Sequence, residues 1–155
     1  MTVVSASVEV DDIPERVWSV VSDPRNLPSW DRHIVGVDGV PVRGLGEGAS
    51  YSTTLQLTPT RLRVMPIRAR IQAKVIAWEP PHRAVVRLSG LLDAVVTTTI
   101  EPLDGSRSRL RHEVDYRIRG GPLGEVAARS LSLLGGARYL LRRGMLAQKH
   151  AVEAS

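Results

Sequence analysis

The feature that most constrains the fold is an alternation of apolar and polar residues with period two. It appears first at residues 3–10 and returns six times between residues 33 and 119. Short turns rich in glycine and proline separate the later segments and leave no room for crossover helices, so neighbouring strands should be antiparallel. The pattern therefore predicts one seven-stranded antiparallel sheet. Its expected strands are 3–10, 33–38, 49–58, 67–78, 83–89, 92–101 and 108–119.

Two short helices and one long helix are predicted outside the sheet. Residues 11–15 contain a capping aspartate, an early proline and a glutamate, which is typical of a helix start. Asp23 and Pro24 should end this helix, and a shorter one should follow as far as Trp30. A long helix with an apolar stripe is expected from about residue 123 to about residue 150, with residues 152–155 frayed.

The composition excludes several classes of protein. The chain has 155 residues, the size of a single domain, expected over 1–155. It has no cysteine, which excludes disulfides and thiolate metal sites. The four histidines lack metal-ligand spacing, so neither a metal nor another cofactor is expected. No apolar run approaches the ~20 residues of a membrane span.

Charge and the first residues bear on partners and location. The net charge is +5, but the basic residues are spread along the chain, so nucleic acid is not an expected partner. An acidic carrier protein stays open as a partner, and a monomer or weak dimer is expected. The opening residues, MTVVSASVEV, lack the basic region and apolar core of a signal peptide, so we expect a cytoplasmic location and no membrane insertion.

The inner face of strand 67–78 is rich in small residues. Ala69, Ile71 and Ala73 alternate there with basic and polar residues, and the alternation breaks near the strand end, which predicts a bulge. Only the long C-terminal helix is long enough to cover the concave side of a curved sheet. Small inner residues should then leave a hydrophobic cavity under that helix, the usual makeup of a small-molecule site.

Two segments resemble a known family. The residues from Pro14 to Asp31, PERVWSVVSDPRNLPSWD, with Val8-Glu9-Val10 before them, resemble the opening of the polyketide cyclase/dehydrase branch of the START/Bet v1-like (SRPBCC) superfamily. Residues 119–124, RGGPLG, are similar to its C-terminal signature, and the element order agrees over roughly residues 3–150. The resemblance implies an α+β helix-grip fold, a curved sheet with two short helices and a long C-terminal helix over a hydrophobic cavity.

Several polar and aromatic residues are candidates for ligand contacts. His112 and Tyr116 share the inner face of strand 108–119 at a separation of roughly 13 Å, too far apart for a direct acid–base pair. They could contact two ends of one ligand, with a catalytic role as the weaker interpretation, or be hydrogen-bonded core residues. Trp30 could close the cavity or pack under a loop. The predicted ligand contacts are Trp30, Tyr51, Ala69, Ile71, Ala73, His112, Tyr116, Leu134 and Tyr139.

Three hypotheses for function follow. The first is binding of a hydrophobic, polycyclic or polyketide-derived small molecule for carriage, sequestration or self-resistance in natural-product metabolism. The second is a polyketide aromatase/cyclase or dehydrase acting in the same cavity, which leaves open whether the protein is an enzyme. The third is an interaction module that uses the basic outer face of the sheet, including Arg109, Arg111 and Arg117.

Two observations bear on the enzyme hypothesis. The resemblance implies that cyclases with this fold often use a buried arginine, whereas the alternation turns nearly every arginine of the predicted strands outward. The register of strand 92–101 is open, because Asp93 and Thr97 or, equally, Ala94 and Val96 could face inward. The first register would supply polar groups for catalysis.

Overall fold

The predicted antiparallel sheet is confirmed. A computed structural model describes residues 2–57, 67–90, 92–122 and 136–155. The strands are β1 (Thr2–Val10), β2 (Ile34–Asp38), β3 (Ser50–Leu57), β4 (Ile67–Glu79), β5 (Arg83–Ser89), β6 (Leu92–Pro102) and β7 (Ser108–Ile118). Their order in the sheet is β1-β7-β6-β5-β4-β3-β2, so β2 to β7 follow the chain as hairpins and β1 pairs with β7.

The helices lie at the two places where the alternation is absent. Helix α1 (Pro14–Val21) is followed by a 3-10 turn (Pro24–Asn26), α2 (Leu27–Trp30) and, at the C-terminus, α3 (Gly136–Glu153). The first part of the predicted long helix, residues 123–135, lies outside the described residues. The four helical segments and the sheet together form the helix-grip arrangement of the α+β class.

The start of α1 differs from the prediction in its cap. Ile13 occupies the N-cap position and provides no side-chain hydrogen bond, so the expected aspartate cap is wrong. Instead Asp12 accepts a hydrogen bond from the Ile13 backbone at 2.8 Å, one residue earlier. Pro14 begins the helix, where its missing N–H costs nothing.

The C-terminus is ordered, and the prediction that residues 152–155 fray is wrong. Val152 is 1% exposed, and α3 continues to Glu153. The backbone N–H of Asp11 donates to Glu153 at 3.0 Å, which is the main reason the pKa of that carboxyl is lowered. Arg16 donates to the Ser155 backbone oxygen at 2.9 Å. These long-range bonds attach the end of α3 to the start of α1.

The predicted bulge is present in β4. The pairing with β5 shifts by one residue between Val75 and Ala77, and Ile76 becomes exposed. An extra residue in one strand reverses which side chains face inward beyond it. Consequently Trp78 lies on the inner face, although simple alternation from Val75 would turn it outward.

The open register of β6 is resolved. Ala94 and Ile100 are buried on the inner face. Asp93 lies on the outer face, where Arg119 donates to it at 2.8 Å and lowers its pKa. The alternative register, with Asp93 and Thr97 inside, is therefore wrong. An inward Asp93 would have needed a buried partner, whereas on the outer face the exposed Arg119 pairs with it.

A tightly packed cluster fills the space where α3 crosses the sheet, and we call it the solid core. Helix α3 packs along β1 and also contacts α1 and α2. Fully burying each aliphatic side chain there contributes roughly 1.5–3 kcal/mol. The members of the solid core, all at most 1% exposed, are Val10, Val17, Ile100, Leu110, Met145 and Val152.

Candidate functional site

A cavity of about 450 Å³ lies between the sheet and the helices. This volume is within the range of roughly 300–1,000 Å³ that is typical of small-molecule sites. Its walls come from the inner faces of β3 to β7, from the inward side of α3, and from α1 and α2. They are mainly apolar, and representative members are Leu55, Ile71, Val86, Leu88, Val96 and Leu141.

Helix α3 packs mainly along β1, at one side of the sheet. Small or short side chains face inward on the middle strands, including Thr53, Ala84 and Thr98. They cannot reach across the gap to the helices. The unfilled volume is therefore a consequence of the sheet's inner composition combined with the position of α3.

Three tryptophans line the cavity. The rings of Trp18 and Trp78 meet edge to face, with centroids 4.8 Å apart and planes at 66°. This is a favoured geometry for aromatic pairs. Trp18 packs against the solid core and also borders the cavity. Trp30, at the end of α2, is the third.

The main polar group of the cavity is a hydrogen-bonded row of three side chains that we call the His112 network. Thr98 Oγ1 lies 2.8 Å from His112 Nδ1, and Gln148 Oε1 lies 2.7 Å from His112 Nε2. The three residues come from β6, β7 and α3, so the row spans from the sheet to the helix. All three line the cavity.

The network defines the protonation of His112. An amide oxygen accepts only, so Nε2 carries the proton and Nδ1 accepts from the Thr98 hydroxyl. Burial lowers the pKa of His112, and the hydrogen bond that His112 donates to Gln148 opposes that shift only in part. His112 is therefore neutral near pH 7, with both ring nitrogens already occupied by the protein.

Tyr51 adds a second neutral polar group. It is buried on β3 and lines the cavity. Burial raises the pKa of its phenol to about 12. The phenol therefore stays protonated over the physiological range and presents a hydroxyl, not a charge, to the cavity.

Trp30 has an unusual indole nitrogen. Its Nε1 is buried and has no hydrogen-bond partner in the part of the chain that the structure describes. Buried N–H groups are hydrogen-bonded in the large majority of cases. The orphaned donor of Trp30 is therefore an exception among the described side chains.

The described walls carry almost no charge. They include neither lysine nor arginine. Asp31 lies at the rim, half exposed and paired with His33 at 3.1 Å. Among the described residues, the half-exposed Asp31 is consequently the one acidic or basic side chain of the wall besides His112.

The arginines of β7 lie on the outer face of the sheet, most of them beside carboxylates. Arg109 lies 3.8 Å from Glu9, and Arg111 lies 3.1 Å from Glu113. These pairs reduce the positive field that the third hypothesis, an interaction module, requires of this face.

The structure brings four of the residues predicted as ligand contacts to the cavity wall. Trp30, Tyr51, Ile71 and His112 line it. Leu134 lies outside the described residues.

Four other predicted contacts lie away from the described wall. Ala69 and Ala73 are on β4, and Ala73 is 1% exposed against the neighbouring strands. Tyr116 is buried in a small cluster with Ala94 at the end of the sheet. Tyr139 is 64% exposed on α3. As cavity contacts, these residues stay predictions.

Sequence reasoning missed Gln148 and Thr98. Gln148 follows Leu141 by seven residues and Met145 by three, so it lies on the apolar stripe of α3. A polar residue on that stripe was the available signal. The inward position of Thr98 could not be predicted, because the register of β6 was open.

The described residues hold neither a metal-binding cluster nor a membrane-spanning helix. Over 2–57, 67–90, 92–122 and 136–155, no group of three or more His, Cys, Asp or Glu side chains is arranged to hold a metal ion. Within those ranges, none of the helices is long and apolar enough to cross a lipid bilayer.

Relatives of this chain were found by sequence. Residues 1–145 match the family described as polyketide cyclase / dehydrase and lipid transport. An uncharacterized protein of Mycobacterium tuberculosis is 33% identical over 134 residues, covering 84% of this chain and 89% of that protein.

Solved structures share the fold at lower identity. A START superfamily protein from Mycobacterium smegmatis superposes with a TM-score of 0.73 at 18% identity, covering 98% of this chain and 97% of that one. The Zhui aromatase/cyclase from Streptomyces sp. R1128 has a TM-score of 0.70 at 16% identity, covering 98% and 93%. These structures share the fold of this chain, and the sequence match shows that the chain belongs to the family described as polyketide cyclase / dehydrase and lipid transport.

Proposed function

We propose that the protein encloses a hydrophobic small molecule in its cavity. The observation that carries this proposal is the unfilled volume of about 450 Å³ with mainly apolar walls. Removing apolar ligand surface from water contributes roughly 25 cal/mol per Å² to binding, so such a cavity favours a hydrophobic ligand. The family, whose description includes lipid transport, agrees with this class of ligand.

The rigid, aromatic part of the wall supports a polycyclic or polyketide-derived ligand. Trp18 and Trp78 form a fixed edge-to-face pair, and Trp30 adds a third ring. Flat aromatic side chains stack well on flat ligand rings. Carriage, sequestration and self-resistance in natural-product metabolism would all use such binding.

The His112 network supports binding over catalysis. A general base needs a free nitrogen within hydrogen-bond reach of the proton that it removes. Both ring nitrogens of His112 are occupied, by Thr98 and by Gln148. His112 would have to break one of these bonds before it could accept a proton from a ligand. We therefore propose that it orients the ligand's surroundings and does not transfer protons.

The experiment is thermal unfolding with a panel of polycyclic ketones, long-chain alcohols and sterols, together with native mass spectrometry of the purified protein. A ligand that binds only the folded state raises the melting temperature by mass action. We expect at least one class to raise it. No shift with any class, and no retained ligand, would contradict the proposal.

Two adjacent valines of β6 provide a matched control. Val96 lines the cavity, whereas Val95 is the neighbouring residue of the strand and points to the other face. We expect Val96→Trp to fill the cavity and abolish the ligand-induced shift, and Val95→Trp to preserve it. Equal loss in both variants would show that the ligand binds elsewhere.

A further inference from the structure

Gln148 has a polar atom that the His112 network does not use. Its Oε1 accepts the hydrogen bond from His112 Nε2 at 2.7 Å, which fixes the orientation of the side-chain amide. The other end of the amide, Nε2, carries two N–H donors. Neither donor has an acceptor among the residues that the structure describes. The network therefore ends in an N–H group without a protein partner.

This N–H group is open to the cavity. In the described part of the chain, two partnerless side-chain atoms are sealed from solvent, Trp30 Nε1 and Asp115 Oδ1, and Gln148 Nε2 is not one of them. Gln148 Nε2 therefore keeps accessible surface, although the residue as a whole is only 9% exposed. Gln148 lies two turns after Leu141 on the inward side of α3, and both residues line the cavity. The accessible surface of Nε2 consequently faces the cavity.

The His112 network has a direction. Thr98 donates to His112, and His112 donates to Gln148, so the amide has only donors left to offer. In such a row each hydrogen bond polarises the next, which strengthens the last donor. A hydrocarbon cannot accept a hydrogen bond from this donor, whereas the oxygen of a carbonyl group can. The wall therefore favours a ligand that carries an acceptor oxygen at this point.

We propose that Gln148 donates a hydrogen bond from Nε2 to a carbonyl oxygen of the bound ligand. The ligand is then a hydrophobic molecule with a carbonyl group in the part that lies against α3. This inference rests on the proposed function and adds the chemical class of the ligand to it. It also assigns to α3, through one side chain, the hydrogen bond that orients the ligand over the middle strands.

Three anthracene derivatives of nearly equal shape test the inference. 2-Acetylanthracene carries a carbonyl oxygen, which only accepts hydrogen bonds. 1-(2-Anthryl)ethanol carries a hydroxyl group, which accepts and donates, and 2-ethylanthracene carries neither. Their binding can be followed by the fluorescence of the anthracene ring. We expect the ketone and the alcohol each to bind the wild type on the order of tenfold more tightly than the hydrocarbon, the usual effect of one buried hydrogen bond.

The variant Gln148→Glu replaces the two N–H donors by an oxygen in a side chain of nearly the same shape. The introduced carboxylate can still accept the hydrogen bond from His112, and its second oxygen can accept one from the alcohol but not from the ketone. We expect the similar affinities for ketone and alcohol in the wild type to become a preference of about tenfold or more for the alcohol. Fluorescence titration at pH 8 measures this ratio.

Gln72→Glu is the matched control. Gln72 is exposed on β4, between the buried Ile71 and Ala73, and therefore lies on the outer face of the sheet. Like Gln148, it accepts a side-chain hydrogen bond through Oε1, from Ser52 at 2.8 Å. The two variants thus change the net charge and the side-chain chemistry equally. Gln72→Glu should leave the ratio of ketone to alcohol affinity as it is in the wild type.

The outcomes separate the inference from the proposed function. Equal wild-type binding of ketone and hydrocarbon, an unchanged ketone-to-alcohol ratio in Gln148→Glu, or the same change in Gln72→Glu would overturn the inference alone. A wild type that favours the alcohol but not the ketone would overturn it too, because the amide would then present its oxygen. If none of the three compounds binds, the inference fails, and the thermal-unfolding panel decides the proposed function separately.

A second variant covers the case in which Gln148→Glu does not fold. Gln148→Met is similar in size and uncharged, and it removes the donors without adding an acceptor. We expect its preference for the ketone over the hydrocarbon to fall from about tenfold to about twofold or less. A preference that survives in Gln148→Met would overturn the inference.

Discussion

The space between helices and sheet has two unlike regions. Where α3 crosses β1, the solid core is filled by aliphatic side chains that are at most 1% exposed. Over the middle strands the same sheet faces a cavity of about 450 Å³. Ile100 belongs to both regions, so they are continuous. One layer of structure thus provides stability on one side and space on the other.

The two regions should differ in how well they tolerate amino-acid substitutions. Native interiors are packed to the density of organic crystals, so the removal or addition of a methylene there is costly. A side chain in a cavity wall has unfilled volume on one side, so it makes fewer van der Waals contacts than a side chain in a close-packed core. The solid core should therefore determine the free energy of unfolding, and the cavity wall should determine binding.

The largest expected effect is on the solid core. Leu110→Ala removes a fully buried side chain and should lower the free energy of unfolding by about 2–5 kcal/mol. Ile71→Ala, at the cavity wall, should cost about 1–2 kcal/mol, mainly the transfer term. Urea unfolding measures both. Equal losses would indicate that the two regions are packed alike.

Enlarging two alanines tests the same difference between the two regions. Ala73 and Ala84 are both buried inner residues of neighbouring strands, but only Ala84 belongs to the described cavity wall. Ala73→Leu should overpack the sheet and cost about 1–3 kcal/mol, whereas Ala84→Leu should cost less than about 1 kcal/mol and weaken ligand binding. Thermal unfolding and ligand titration distinguish them, and the reverse ranking would place the cavity elsewhere.

The His112 network lies where the two regions meet, and its removal should have an intermediate effect. Gln148→Leu leaves the Nε2 proton of His112 buried without an acceptor, which should cost about 1–3 kcal/mol. Gln148→Glu can still accept that hydrogen bond, and it should favour the charged imidazole instead. Urea unfolding of both variants at pH 8 gives the difference. A neutral effect of Gln148→Leu would show that the bond is replaced by solvent.

The smallest effect is the pH dependence contributed by His112. Burial lowers its pKa in the folded state, so the unfolded chain binds more protons as the pH falls through the ordinary value of about 6.5. Stability should be full above that value and should decline on acidification, by at most about 1.4 kcal/mol per pH unit. His112→Gln should flatten this decline between pH 7 and 5, and an unchanged profile would contradict the assignment.

Much of the fold was predictable because it depends on patterns among residues that are close in the sequence. The alternation, the short turns and the break near Ile76 indicated the strands and the bulge, and each of these signals involves neighbouring residues only. The end of α3 was not predictable in this way. Its order depends on bonds from Asp11 and Arg16, which are more than a hundred residues away in the chain.

The candidate site was predictable only in part, for the same reason. The inward positions of Tyr51 and His112 follow from alternation along a single strand. The partners of His112 come from two other elements, and the register that turns Thr98 inward competes with a second alternation along the same strand. The orphaned nitrogen of Trp30 depends on what surrounds it in three dimensions, which no local pattern specifies.

The most direct test of the central claim, an unfilled apolar space over the middle strands, is a crystal structure determined under xenon pressure. Empty apolar cavities bind xenon, whereas close-packed interiors do not. We expect xenon between Ile71 and Leu141 and none within the solid core around Leu110. Side chains filling that space, with no xenon bound there, would contradict it.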